Sequence, residues 1–317
     1  MRKNYLHVNT TTILKTLSSS PDQLMQFTNL FNMDIPVTTT TITVINKLLS
    51  VYKLYYRNVL FLRQDTTSAE KESIKYFHKL FPNQTVESFD EMENIFSEIC
   101  TSNGYCFQGG KTTGYYGPYI WLTNSTIDYS VDLLGTIHTV SVTFMDDFIS
   151  RGWLRYYSSD LYGAAGWANT DGKLYAMNDA YPSRNDDTFN ISYLKHETQH
   201  LIDYKEYPTL KSDSLEFRAK IIELIYYNDT EKLYKIIEES NNNPENSHSY
   251  ASFMIVKLLE FYKLKLNNID IQTLTIIKNK LKSIFDIHSK YLNNNTNDNE
   301  LITFIEWYIK ENNSVAL

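Results

Sequence analysis

The spacing of apolar residues gives the chain three successive textures. Up to about residue 98 the repeats are helical. Ile13, Leu14 and Leu17, then Leu24, Phe27, Leu30 and Phe31, then the run from Val44 to Leu62, recur at three and four positions. The run Thr38 to Thr41 reads as a loop or a cap. From about residue 101 Gly104, Gly109, Gly110, Gly114, Gly117 and Pro118 cluster. The segments after them, Tyr119 to Leu122 and Thr136 to Phe144, are aromatic and β-branched, as strands are. Asp146 to Ser158, with Phe148, Ile149, Trp153 and Leu154, predicts a short helix. Gly163 to Met177 predicts a hairpin turning at Thr170-Asp171-Gly172. Helical periodicity then returns in Leu194 to Ile202, in Leu215 to Leu224 and through most of 230–317. It is broken at Asn241-Asn242-Asn243-Pro244 and at Asn293-Asn294-Asn295. The pattern predicts an α+β fold with a sheet-containing region over 99–230, flanked by mostly helical regions at 1–98 and 231–317. No internal repeat is visible.

Composition narrows the function classes. The chain has 317 residues, with 42% hydrophobic and 21% charged, as soluble globular proteins do. A net charge of −7 argues against nucleic acid as a partner. No apolar run reaches the roughly 18 residues that a membrane span needs. Met1-Arg2-Lys3-Asn4 looks like the basic start of a signal peptide, but Asn9, Thr10, Thr11, Thr12 and Lys15 interrupt the stretch after it. The expected compartment is therefore the cytoplasm, or the exterior if a leader is removed before residue 1. Cys100 and Cys106 enclose a short loop, and two thiols are expected rather than a disulfide framework. Gly110-Lys111-Thr112 suggests a phosphate loop, but Tyr105 stands where the first Gly belongs and no strong helix comes next, so no nucleotide site is expected.

The chemistry concentrates in Leu194-Lys195-His196-Glu197-Thr198-Gln199-His200-Leu201-Ile202. Tyr193, Leu194, Leu201 and Ile202 flank the motif, Asn190 or Ser192 is a candidate N-cap, and Pro208 ends the run. On a helix His196 and His200 lie about 40° apart in azimuth and about 6 Å apart along the axis. Two imidazoles so placed can bind one Zn²⁺, and Glu197 beside them can reach a metal-bound water.

A catalytic zinc takes three protein ligands and leaves one position open. Glu216 is the candidate third ligand, on a second helix after the break at Pro208, with Ala219 one turn on to allow close helix packing. The alternative for Glu216 is a capping box with Asp213 as N-cap. Asp203, three positions after His200, competes as ligand, or serves as an acceptor behind the ligands or as a solvated surface acid, and Glu206 is a weaker competitor.

With these residues the chain resembles zinc metallopeptidases of the gluzincin type, through His196-Glu197-x-x-His200 and the downstream helical Glu216-x-x-Ala219. It also resembles uncharacterised bacterial metallopeptidase-like proteins in Leu215-Glu216-Phe217-Arg218-Ala219. The likeness covers roughly residues 160–225. Thr198 and Gln199 are more polar than the usual middle pair, and Lys220 stands where thermolysin-like enzymes carry an Asp. The resemblance implies a zincin-like catalytic unit, a cleft along an edge strand, and hydrolysis of a peptide or protein substrate with Glu197 as general base. It also implies an oxyanion donor from a later helix, for which His248 is the first candidate and Tyr250 and Tyr175 are alternatives. Arg218 orients a carboxylate or forms a surface ion pair, and His138 is expected to be packed in its strand. The competing function class is a zinc-containing sensor or partner-binding protein of the same fold that cuts nothing.

Overall fold

The computed structural model describes residues 21–169, 171–264, 266, 269–295 and 300–312. The helical repeat at Ile13 to Leu17, the basic N-terminus, Thr170 in the predicted turn and the last five positions lie outside the described residues. Helices α1 (Pro21–Leu30), α2 (Thr43–Tyr56), α3 (Thr66–Leu80) and α4 (Phe89–Ser102) come first. Strands β1 (Cys106–Gln108), β2 (Lys111–Thr112), β3 (Tyr115–Tyr116) and β4 (Tyr119–Trp121) come next, then β5 (Thr123–Leu133) and β6 (Thr136–Asp146). The strand β7 (Ser150–Arg151), the helix α5 (Gly152–Ser158), and the strands β8 (Gly166–Ala168) and β9 (Leu174–Met177) complete the middle of the chain. Among the described residues, further helices run from α6 (Asp187–Phe189) through α7 (His196–Glu206), α8 (Ser212–Tyr226), α9 (Glu231–Glu239), α10 (Ser247–Phe261) and α11 (Ile271–Asn294) to α12 (Leu301–Asn312). Helices and small sheets together make the fold α+β.

The chain divides into two compact units, one of residues 1–124 and 145–164, the other of 125–144 and 165–317. These limits differ from the expected breaks near 98 and 230, and the cores explain why. In the first unit the helices share an aromatic core with the strands after them. Phe89 of α4 stacks on Tyr116 of β3 at 4.1 Å between ring centroids, and Trp153 of α5 joins the same cluster. Residue 98 therefore lies inside one core. β4 pairs antiparallel with β1 and with β7, so residues 150–151, expected to be helical, are a strand whose partner is Tyr119–Ile120. Lys111 pairs with Glu70 at 2.8 Å, and Cys100 and Cys106 are free thiols.

In the second unit a four-stranded sheet has the order β5-β6-β9-β8. One face supplies Val140, Val142, Phe144, Leu174 and Ala176 to a core that also takes Phe217, Ile221 and Leu224 of α8 and Leu233, Ile255, Leu281 and Phe304 of the later helices. Residue 230 is no boundary because α9 to α12 close over the helix that carries Glu216. β8 and β9 form the predicted hairpin, with Gly172 at φ +82° in its turn. Among the described residues no helix is long and apolar enough to cross a membrane.

Candidate metal centre

The motif helix starts earlier than its sequence suggests. Asp186, not Asn190 or Ser192, is the N-cap, and its Oδ1 accepts from Phe189 N at 2.9 Å. Residues 190–195 then form a π-turn, and α7 begins at His196. A π-turn inserts one extra residue, which resets the side-chain azimuths just ahead of the motif. Phe189, Tyr193 and Leu194 are buried under it. Helix α7 ends at Glu206, where Tyr207 N bonds to Asp203 O before Pro208.

α7 and α8 pack closely, and Ala219 of α8 is fully buried. His196, His200 and Glu216 each point a ligand atom to one spot, the three atoms lying within 4.8 Å of one another. The two Nε2 atoms are 3.1 Å apart. Glu216 Oε2 is 3.6 Å from His196 Nε2, and Glu216 Oε1 is 3.5 Å from His200 Nε2. A tetrahedral ion with bonds of roughly 2.0–2.1 Å separates its donors by about 3.3 Å. The Nε2–Nε2 edge is near that value and each Glu216 oxygen is slightly farther than it from one histidine, so the group could hold a metal ion. All three side chains are between 8 and 12% exposed.

The imidazole of His196 is fixed from behind. Its Nδ1 lies 2.7 Å from Glu223 Oε1, so Nδ1–H donates there and Nε2 keeps its lone pair for the ion. Glu223 is in turn ion-paired with Lys232 through Oε2. Burial alone would raise the Glu223 carboxyl, but His196, Lys232 and Lys220 outweigh it and hold it down to about 2. Lys220, four positions after Glu216, turns to Glu239. The supporting carboxylate comes from Glu223, seven positions after Glu216. Seven positions on a helix return to within about 20° of the same azimuth. Two Glu residues at that spacing after a His pair are the signal that the sequence carries for this support.

Glu197 faces a different neighbour. Its Oε2 accepts from Ala168 N at 2.9 Å. In the β8–β9 ladder the bonds Met177 N to Ala165 O and Asn169 N to Lys173 O fix which residues face β9. Ala168, opposite Leu174, is a non-hydrogen-bonded position, so its N–H points out of the sheet edge. Gly166 is the other outward position. A Cβ there would meet Tyr193 Cε2 at 2.4 Å, so only glycine lets the strand sit this close to the motif helix. Burial raises the Glu197 carboxyl above its ordinary value, His196 and His200 lower it, and Glu216 raises it again.

Glu216 does not act as a capping box. Helix α8 starts at Ser212 with Lys211 at the cap position, Asp213 Oδ1 accepts from the next residue's N–H, and the Glu216 carboxylate turns to the histidines. Burial would raise it, but His248, His200 and His196 hold it well below the usual carboxylate range. His248, at the start of α10, brings Nδ1 to 2.9 Å from Glu216 Oε2 while 67% of its side chain stays exposed. Its pKa is raised, first by the Glu216 charge. Tyr175 donates to Asp171 at 2.9 Å instead, and Tyr250 is buried in the core. Tyr204 has no counterpart among the expected site residues. Its ring stacks on His200 at 6.2 Å, and after burial the charges of Glu197 and Glu216 raise its pKa.

Asp203 belongs to a buried ion pair, not to the ligand group. Its Oδ1 accepts from Arg218 Nε at 2.8 Å and from Gln199 Nε2 at 2.9 Å, and both charged side chains are at most 2% exposed. Arg218 also donates to Ser289 at 3.0 Å and lies over the Phe285 ring at 4.2 Å. The surface ion pair expected for Arg218 is thus an interior one that ties α7 and α11 to α8. Glu206 is exposed at the end of α7 and is not one of the three clustered donors. His138 is half-buried on β6.

Comparison with protein-family models, curated proteins and solved structures finds no match. The geometry alone carries the functional argument.

Proposed function

We propose that this chain is a zinc-dependent peptidase of the gluzincin type on a zincin-like unit. One observation carries the reading. Beside a three-donor group stands a second carboxylate, Glu197, that belongs to the motif helix yet is turned to the sheet edge by the Ala168 N–H. A site that only holds a cation has no use for a carboxylate so placed. Two imidazoles and one carboxylate are a donor set suited to zinc. His196, His200 and Glu216 would hold it, and a bound zinc supplies Lewis acidity that acidifies water and polarises a carbonyl.

The chain's own residues do the rest. Burial raises the Glu197 carboxyl above its ordinary value, the direction that favours a general base. Glu197 takes a proton from water as the water oxygen bonds to the peptide carbon. It then hands that proton to the nitrogen as the carbon–nitrogen bond breaks. Glu223 holds the tautomer and orientation of His196 throughout. His248, exposed beside Glu216, is the proposed donor to the oxygen that gains charge. The outward edge of β8 offers backbone pairing to an extended peptide.

Metal analysis together with digestion of a broad peptide library tests the proposal. Wild type should contain one zinc per chain and cut peptides, and Glu197→Gln should keep the zinc and cut none. A wild type that holds zinc and leaves the whole library intact would refute the peptidase reading and favour the sensor or partner-binding alternative.

A further inference from the structure

Beside the cluster lies a pocket of about 670 Å³ in the second unit, walled by the start of β6, the β8–β9 turn and the half of α7 beyond the histidines. Around α7, Glu197 and Tyr204 fall about 20° apart in azimuth and about 10 Å apart along the axis. Tyr204 lines the pocket and stacks on His200, so the pocket opens on the flank that Glu197 faces. An extended peptide advances about 3.3 Å per residue, so this pocket lies two to three residues from the bond that Glu197 would serve.

Its lining has two parts. Val140, Leu201 and Ile202 make an apolar surface. The polar side carries Lys205, His138, Asp171 and Thr198. Two of these are already engaged. Thr198 Oγ1 donates to Leu194 O at 2.6 Å. Asp171 accepts from Lys173 N at 3.0 Å on one oxygen and from Tyr175 Oη at 2.9 Å on the other. Lys205 is exposed and makes no ion pair among the described residues. The pocket therefore presents an unspent cationic donor next to an apolar floor, while its one carboxylate has both oxygens occupied. An unpaired cation beside an apolar floor complements an anion on an apolar stem, while the Asp171 carboxylate, which keeps its charge, is held on the turn by Lys173 N and Tyr175 Oη.

We propose that this pocket is a substrate subsite that takes a carboxylate two to three residues from the cleaved bond, with Lys205 as its partner and Val140, Leu201 and Ile202 holding the adjoining apolar part. The assignment rests on the peptidase reading for the ligand being a peptide. The carboxylate comes either from a free C-terminus, which makes the chain a trimmer of peptide ends, or from an acidic side chain, which makes it selective within a sequence.

The test uses zinc-loaded Glu197→Gln protein, full length, and three fluorescent apolar hexapeptides read by anisotropy. One has a free C-terminus, one is amidated, and one is amidated with a single internal Glu. A carboxylate peptide should bind up to about fivefold more tightly than the neutral one, the size expected of one exposed ion pair. Lys205→Glu, and more mildly Lys205→Gln, should erase that difference while zinc content stays unchanged. Whichever carboxylate peptide carries the gain identifies the source. Equal binding of all three, no binding of any, or a preference that survives Lys205→Glu would overturn the assignment. Digestion of the same peptides by wild type is scored separately. Carboxylate-dependent binding without any cleavage would sink the peptidase reading and leave the subsite standing. Cleavage without a carboxylate preference would do the reverse.

Discussion

Replacing Glu223 by Gln isolates the support behind His196. The side chain keeps its length, and its amide oxygen can still accept from Nδ1–H, but the charge is gone. The structure sets the size of the effect. One charge-assisted hydrogen bond of 2.7 Å, on a residue 2% exposed, is lost as such. Hydrogen bonds to charged groups contribute roughly 1.5–3 kcal/mol, and loss of a carboxylate behind a ligand histidine weakens metal binding about 10–100-fold, or about 1.4–2.7 kcal/mol. The two ranges agree, so zinc affinity should fall by one to two decades. A competition titration against a chromophoric chelator measures it.

The same substitution bears on the metal-free fold, and the sign comes from the carboxyl at about 2 against an ordinary 4.5. A depressed carboxyl contributes stability that is present above about 4.5 and lost as pH falls through about 2. The difference corresponds to about 3 kcal/mol. Thermal unfolding of the metal-free variant at pH 7 must therefore accompany the titration, to show that a folded chain was measured. A folded Glu223→Gln protein with zinc affinity within about twofold of wild type would refute the idea that Glu223 orients the ligand.

The same geometry sets four further outcomes. Glu216→Ala should sharply reduce zinc content by elemental analysis, since it removes one of three donors; unchanged stoichiometry would reassign the ligand set. Burial lowers the His200 pKa, but Glu216, Glu197 and Asp203 raise it to about 9 in the metal-free protein, so its proton stabilises the metal-free fold below about 6.5 and that contribution is lost as pH rises through 9. Zinc must displace that proton, so affinity should climb between pH 6.5 and 9, and calorimetry in buffers of different ionisation enthalpy should count about one proton released at pH 7. Arg218→Ala leaves Asp203 buried without its partner and should destabilise by about 3–5 kcal/mol in denaturant unfolding. Ala168→Pro removes an N–H that β9 does not use, at an edge position that tolerates proline, so the predicted result is intact zinc binding with peptide cleavage lost; undiminished cleavage would deny Ala168 its role in aiming Glu197.

The parts legible in the sequence are those with short-range signals. The hairpin of β8 and β9 announces itself in its Asp-Gly turn, and the break before α10 in Asn241 to Pro244. The His pair and Glu216 are legible because a helical period and one turn of chain reversal bring them together. The start of the motif helix is not, because a π-turn breaks the 3.6-residue period at residues 190–195, just where a cap is expected. The strand at Ser150–Arg151 is hidden because its partner, β4, lies some thirty residues away and two paired residues leave no period to detect. The domain limits are hidden because Phe89 with Tyr116, and Phe217 with Phe304, join cores across stretches that change texture between them. Polar roles are the hardest to assign. Arg218 and Asp203 look like surface charges in sequence, and only the packing of Phe285 and Tyr207 over the guanidinium reveals an interior pair.

These placements share one arrangement, in which α8 does nearly all the orienting. From a single helix, Glu216 reaches both histidines, Arg218 fixes Asp203 one turn beyond them on α7, Lys220 draws Glu239 of α9, and Glu223 holds His196. Residues 216, 220 and 223 share a face, so Glu216 and the support of His196 move as one body with that helix. Arg218 points elsewhere and locks the helix to α7 and α11. A rigid ligand pair on α7 would be useless if α8 could slide by even one turn, since about 5.4 Å is more than any of the donor separations measured. The buried Arg218–Asp203 pair stops that slide. It therefore contributes to metal binding although neither residue touches the site, and Arg218→Ala should weaken zinc affinity as well as the fold. A variant that loses stability with zinc affinity unchanged would show instead that the α7–α8 register is held by apolar packing alone.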